Sequence, residues 1–267
     1  MKLLIYTNPN KPNAAQLLNE LSEVSERRGI ETECFASDLL LKRLPAESWA
    51  EVFCVVTIGG DGTILRAVSA AAPYGVPVLG INLGRVGFFS EIGAEGFDEA
   101  LTRLRNGDFE TESASMLACF VNGKRVGECL NDFIIHRQEL SSIAQLALEV
   151  DGDGVGEVMA DGLIVATSSG STGYTMSAGG PVVAPKLDCM LVTPICPHSL
   201  TVRPIVASAD SCVSVEAKSV CRLTCDGQDA CLICPGDVLT FKRSEGKAKF
   251  IRFGKRNIFR LIREKLR

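Results

Sequence analysis

The chain has 267 residues, 46% hydrophobic and 22% charged, ordinary for a globular protein with one large core or two modest ones. No uninterrupted apolar run approaches the ~20 residues that span a bilayer, so no membrane partner is expected. Net charge is −4, yet eleven basic and two acidic residues lie between Lys242 and Arg267, so a basic surface is confined to the tail.

In chain order, Lys2–Tyr6 reads as a strand. Asn8, Pro9, Asn10 and Lys11 cut its apolar patch too early for a signal peptide, and a cytoplasmic protein is expected. A helix follows over Ala14–Arg27, with leucines at 17, 18 and 21, then a strand over Ile30–Phe35. After Trp49 come the strand Val52–Ile58, a glycine turn, a helix from about Thr63 to Ala72 and the strand Val76–Ile81. Phe97–Arg105 reads as a helix closed by Asn106-Gly107. Strands separated by helices predict an α/β domain with a parallel sheet over residues 1–112.

From about residue 115 the pattern changes. Ala118–Val121, Asn122-Gly123 and Lys124–Val126 form a hairpin signal, because Asn-Gly supplies the positive φ angles of a type I′ turn. Further strand-like runs are Phe133–His136, Ile143–Val150, Leu163–Thr167, Cys212–Ala217 and Val220–Cys225, with one helix after Gly173. Residues 113–245 therefore read as a β-rich, sandwich-like domain. Asp151-Gly152-Asp153-Gly154-Val155-Gly156 imitates a calcium loop, but Val155 and Gly162 stand where oxygen ligands belong, so it reads as a turn. Residues 246–267 are expected to be a basic helix packing back on the body, with Ile258, Leu261 and Ile262 on one face; nucleic acid is not an expected partner.

Eleven cysteines, an odd number, are scattered through hydrophobic stretches such as those around Cys34, Cys54, Cys119 and Cys189. They read as reduced, buried thiols. Of Cys221, Cys225, Cys231 and Cys234, only the last pair has a usual zinc spacing, so no metal site is assigned. His136 and His198 have no ligand spacing and read as structural.

The chemistry starts at Thr57–Leu65, TIGGDGTIL, which sets one carboxylate among glycines directly after an apolar strand. A strand, a glycine turn and a helix N-terminus make an anion site of backbone N–H groups, and a glycine lets phosphate approach the chain. Neither a P-loop nor a dinucleotide fingerprint is present, and no lysine stands in the turn. An acid beside phosphate either holds a metal bridging the phosphates or accepts a proton from an attacking hydroxyl. The blander reading is a helix cap by Asp61 or Thr63. A second stretch, Asp161–Pro181, is a strand followed by seven Ser/Thr and four Gly between Thr167 and Gly180. Its hydroxyls and amides offer hydrogen bonds in both directions, suited to riboses, an adenine edge and phosphates.

Together these residues resemble the NAD kinase family over nearly the whole chain. The likeness rests on Gly59–Thr63, Gly80-Ile81-Asn82 with Gly87-Phe88, Asn131-Asp132 with His136-Arg137, Asp161–Pro181, Thr193–Pro204 and Asp226-Gly227-Gln228. The resemblance implies ATP-dependent phosphorylation of the adenosine ribose 2′-hydroxyl of NAD, with NAD between the two domains. It implies Asp61 as general base, with Gly62 beside it. An ordinary carboxylate titrates near 3.9, too low to deprotonate a free alcohol in advance, so its work is to orient the hydroxyl and take the proton late.

The resemblance assigns NAD contacts to Asn131, Asp132, Asp161, Thr172, Gly173, Tyr174, Thr175, Met176, Ser177 and Gln228. For Asn131-Asp132 a hairpin-ending turn is the alternative, and Phe88 and Phe89 read equally as pocket lining or core. It also implies Mg²⁺ or another divalent cation with ATP, polyphosphate being an alternative donor, and a homo-oligomer, dimer or tetramer. The chain departs from the family in having Met159 for a basic residue, Ser168-Ser169 for Pro-Thr and Gly173 for Ala. These bear on cofactor affinity and NAD-versus-NADH preference. Rival readings are a lipid or sugar kinase with the same turn, and a non-catalytic NAD(P) sensor.

Overall fold

The computed structural model describes residues 1–8, 13–84, 87–184, 186–255 and 257–265. Pro9, Asn10 and Lys11, Arg256 of the tail, and the side chain of Ile258 lie outside the described residues. The elements are β1 (Lys2–Thr7), α1 (Ala14–Arg27), β2 (Glu31–Phe35), α2 (Asp38–Lys42), α3 (Ala46–Trp49), β3 (Val52–Ile58), α4 (Asp61–Ala71), β4 (Val78–Asn82), β5 (Ile92–Gly93) and α5 (Phe97–Asn106). Then come β6 (Glu110–Val121), β7 (Lys124–Cys129), β8 (Asp132–Arg137), β9 (Ala144–Val150), β10 (Asp153–Ala160), β11 (Gly162–Thr167), α6 (Tyr174–Ser177) and β12 (Cys189–Ile195). The chain closes with β13 (Ile205–Ser208), β14 (Val213–Ala217), β15 (Cys221–Cys225), β16 (Gln228–Ile233), β17 (Val238–Arg252) and α7 (Ile258–Lys265).

Two compact units result, one of Met1–Ser113 with Gly246–Arg267 and the other of Ala114–Glu245. In the first, β2, β1, β3 and β4 lie side by side and parallel, with β5 and the end of β17 also parallel to β4. Leu3, Leu4 and Ile5 are all fully buried, as expected when a parallel sheet is covered on both faces. Helix α1 turns Leu17 and Leu21 inward, and α5 turns Phe97, Leu101 and Leu104, into a core shared with Val56, Ile58 and Leu79. Helix α4 packs closely over β4. A Cβ at Gly80 would stand 2.6 Å from Ile64 Cδ1 and 3.0 Å from Ser90 Cα.

In the second unit the strands are antiparallel. One sheet runs β13-β12-β11-β8-β15-β16, and β10-β9-β14-β17 with β6 and β7 form the other. Phe133, Val165, Val192, Leu223, Val215 and Phe241 from both sheets share one core. Three hairpins turn on residue pairs with positive φ: Asn122-Gly123 (50°, 79°), Asp151-Gly152 (54°, 86°) and Asp226-Gly227 (46°, 74°). The calcium-like stretch is thus the β9–β10 turn.

The tail is not helical throughout. Residues 246–252 complete β17, which runs parallel to β4 with Phe250 opposite Val78, and Phe250, Ile251 and Arg252 are all buried. Only Ile258–Lys265 is helix, with Leu261 and Ile262 half-buried and Phe259 exposed. The cysteines also divide: Cys54 and Cys119 are buried, whereas Cys34 is exposed and Cys189 half-buried. No helix among the described residues is long and apolar enough to cross a membrane.

Gly80→Ala is expected to destabilise the chain by about 1–3 kcal/mol through overpacking against Ile64 and the Ser90 backbone. Gly60→Ala, whose Cβ meets open space, should stay within about 0.5 kcal/mol of wild type. Thermal melts of the two variants check the contrast.

Candidate functional site

The glycine turn closes β3 and opens α4. Gly60 is the N-cap and offers no side chain, so Asp61 is the first helical residue rather than the cap. Its half-buried carboxylate reaches across to the turn after β4. Oδ2 accepts from Phe88 N–H at 2.9 Å and Oδ1 from Phe89 N–H at 3.0 Å. Two consecutive amides thereby fix the plane of the carboxylate, and the helix-cap reading falls. A Cβ at Gly87 would lie 2.1 Å from Asp61 Oδ1, so only glycine admits this approach. The turn is held from within by Gly87 N–H donating to Ser90 Oγ at 2.8 Å. Phe88 and Phe89 are buried, and Phe89 stacks on Phe250 with ring centroids 5.6 Å apart. Their side chains pack as core while their backbone serves the acid.

In the β-rich unit, Asn131 and Asp132 stand where β7 passes into β8. The organiser is Asp226, in the β15–β16 turn. Its Oδ2 accepts from Leu130 N–H at 2.9 Å, and Oδ1 from Asn131 N–H at 2.9 Å and Asp132 N–H at 3.2 Å. Asp226 N–H in turn donates to Asp132 O at 3.0 Å. On the other side, Thr167 N–H donates to Asn131 O, and a Cβ at Gly170 would sit 2.2 Å from that oxygen. A Cβ at Gly173 would lie 3.5 Å from both Asn131 Nδ2 and Asp132 Oδ2 and 3.2 Å from Gly170 O, so the family's commoner alanine would press on the Gly170 carbonyl. Asn131 Oδ1 and Thr175 Oγ1 are buried without a hydrogen-bond partner. Such atoms are costly unless a ligand satisfies them. Asp132 is buried, and burial first, then the charge of Asp226, pushes its carboxyl up to about 7.

Asn131, Asp132 and Gly173 are therefore brought together, and Gln228 follows directly on the Asp226-Gly227 turn. Thr172 closes a short 3-10 turn, and Tyr174, Thr175, Met176 and Ser177 form α6 after it, with Tyr174 exposed and Thr175 buried. Asp161 stands apart. Across β8 and β11, Ala166 pairs with Asp132 whereas Gly162 pairs with His136, so Asp161 is at the far end of the strand, about 16 Å along it. There its Oδ1 pairs with Arg137 Nη1 at 2.9 Å, a cation supplied by β8 where Met159 supplies none.

Models of both ATP-NAD kinase domains match the chain, the N-terminal domain over residues 38–109 and the C-terminal domain over 130–253. The NAD kinase of Geotalea daltonii is 35% identical over all of this chain and 98% of its own length. That of Symbiobacterium thermophilum is 36% identical over 99% of this chain and 98% of its own. The chain belongs to the NAD kinase family. Among solved structures, the Archaeoglobus fulgidus NAD kinase in complex with ATP superposes with a TM-score of 0.81 at 31% identity, covering 98% of this chain and 99% of that one. The yeast NADH kinase complexed with NADH shares the fold, with a TM-score of 0.90 at 22% identity over 100% of this chain and 87% of that one.

For an NAD kinase the donor set around the turn suits a divalent cation that arrives on the triphosphate. Mg²⁺ takes one or two carboxylates plus phosphate oxygens rather than a protein cage; Asp61 is the carboxylate of the turn, and no lysine competes there. Among the described residues no cluster of three or more His, Cys, Asp or Glu forms a cage of its own. Sequence reasoning missed two features of the site: the Phe88-Phe89 amides, and Asp226. Asp226 entered only within a family motif, and the targets of its carboxylate lie in a distant segment.

Because Asp132 is raised, the folded chain keeps between about pH 4 and pH 7 a proton that the unfolded chain has released. This contribution to stability is whole below about pH 4 and is lost as pH rises to 7. Asp132→Asn should therefore gain relative to wild type from pH 5 to pH 8, by at most about 3 kcal/mol. A melting-temperature difference that does not change with pH would show that Asp132 is not protonated in the fold.

Proposed function

We propose that the chain transfers the γ-phosphoryl group of ATP to the 2′-hydroxyl of the adenosine ribose of NAD, giving NADP and ADP. The observation that carries this reading is the Asp61 carboxylate, oriented by two amides at the head of α4, in a chain related to NAD kinases over its full length. A carboxylate offers about four acceptor positions, and Phe88 and Phe89 occupy two of them. Held in that plane, the carboxylate accepts the ribose hydroxyl, keeping it in line and taking its proton as the new P–O bond forms. The backbone N–H groups at the start of α4 receive phosphate oxygens.

Asn131, Asp132, Asp161, Thr172, Gly173, Tyr174, Thr175, Met176, Ser177 and Gln228 contact NAD, with Gly62 beside Asp61. The partnerless Asn131 Oδ1 and Thr175 Oγ1 supply hydrogen-bond capacity for it. A bound divalent cation supplies neutralisation of the triphosphate's charge. The working form is a homo-oligomer, dimer or tetramer, which light scattering measures.

Incubation with NAD, ATP and Mg²⁺, coupled to an NADP-specific dehydrogenase, should yield NADPH. A lipid or sugar kinase, or a sensor without turnover, yields none. Asp61→Asn should lower kcat by about 10²–10⁴ while KM for NAD changes much less. A near-normal kcat in that variant removes Asp61 from the mechanism.

A further inference from the structure

The Phe88-Phe89 turn that holds Asp61 is itself held by an arginine far away in the chain. Arg252, the last residue of β17, is 5% exposed, and its Nη1 donates to Phe89 O at 3.0 Å. Phe89 therefore has both its backbone groups committed, its N–H to Asp61 and its carbonyl to Arg252. Around the guanidinium, Glu91 Oε2 lies 3.3 Å from Nη1 and Glu112 Oε2 lies 2.5 Å from Nε. Its Cζ sits 4.8 Å above the Phe250 ring, on which Phe89 also stacks. Glu91 is tied in turn: its Oε1 accepts from Phe253 N–H at 2.8 Å, and its own N–H donates to Gly80 O at 2.8 Å.

We propose that Arg252 is a positioning residue for Asp61, acting through the backbone of Phe89. A planar guanidinium is needed because it addresses a carbonyl and two carboxylates in fixed directions, whereas an ammonium is a single point charge. Phe89 is the residue both partners share, its N–H in the 88–89 peptide and its carbonyl in the 89–90 peptide, so holding the carbonyl fixes the backbone from which the N–H meets Asp61. Burial matters as well, since a water-exposed carbonyl would need no such partner. The role rests on the kinase reading above, because its consequence for turnover is the orientation of the ribose hydroxyl.

Arg252→Lys should lower kcat by about 10- to 100-fold, the cost of an ångström-scale misplacement of a catalytic group, with KM for NAD and ATP within about threefold. In an Asp61→Asn background the same substitution should cost less than about twofold, because the group it positions is already lost. Backbone amide NMR supplies a readout independent of activity: Phe88 and Phe89 amide signals should shift, and their exchange quicken, in Arg252→Lys and in Asp61→Asn alike. Should Arg252→Lys not fold, Glu112→Gln, which removes one partner at the half-exposed rim, should lower kcat by about two- to fivefold. A wild-type kcat in the folded Arg252 variant, an equal loss in the Asp61→Asn background, or unmoved Phe88 and Phe89 amides would each overturn the proposal. A wild-type chain that makes no NADP defeats the kinase reading instead, and the amide measurement still decides the link between Arg252 and Asp61.

Discussion

A carboxylate caught between two consecutive backbone amides is the contact on which the α/β unit's chemistry turns. Asp61 starts a helix, yet its oxygens are claimed by Phe88 and Phe89, in a turn on the neighbouring strand's loop. That geometry demands a glycine at 87, where any Cβ would collide with the carboxylate. It demands a close seat of α4 on β4, which glycine at 80 permits. It also demands a turn that does not drift, and the stack of Phe89 on Phe250 beneath the Arg252 guanidinium provides it. The glycines clear space, and the aromatic and ionic contacts below them remove freedom. A pre-oriented acid costs no reorganisation when charge develops beside it.

The β-rich unit uses the same physics for a different end. Asp226 also gathers backbone N–H groups beside a glycine, but it takes three of them, from Leu130, Asn131 and Asp132. Its carboxylate thus works as a clamp on a chain segment. The clamp has an electrostatic consequence. Asp132 is drawn into a buried place beside a like charge, and its carboxyl favours the protonated form to about neutral pH. A neutral carboxyl donates a hydrogen bond where a carboxylate only accepts.

Much of the fold was legible because its signals are local. Short apolar runs and period-3.6 patterns marked the parallel strands and helices of the first unit, and Asn122-Gly123 marked a hairpin whose two positive φ angles few residue pairs tolerate. The tail was misread for a physical reason. The helical stripe does form a helix over Ile258–Lys265, but residues 246–252 pair into the sheet beside β4, and that pairing is a tertiary contact the stripe beyond it does not reveal. At the site, Asp61 stood out by residue type and glycine company, and Asn131-Asp132 by the family resemblance alone. Phe88 and Phe89 did not, because what they contribute is main-chain N–H, which every residue but proline carries.

The sequence alone determined the family, the alternation of α/β and β-rich halves, and the acid in its glycine turn, since all are written in residue type and short spacing. Tertiary structure decided which backbone groups Asp61, Asp226 and Arg252 hold. Those bonds join residues 27, 95 and 163 positions apart: Asp61 to Phe88, Asp226 to Asn131, and Arg252 to Phe89. No local pattern encodes a pairing at such separations. It exists only once strands and helices have packed and buried polar groups must find partners within reach.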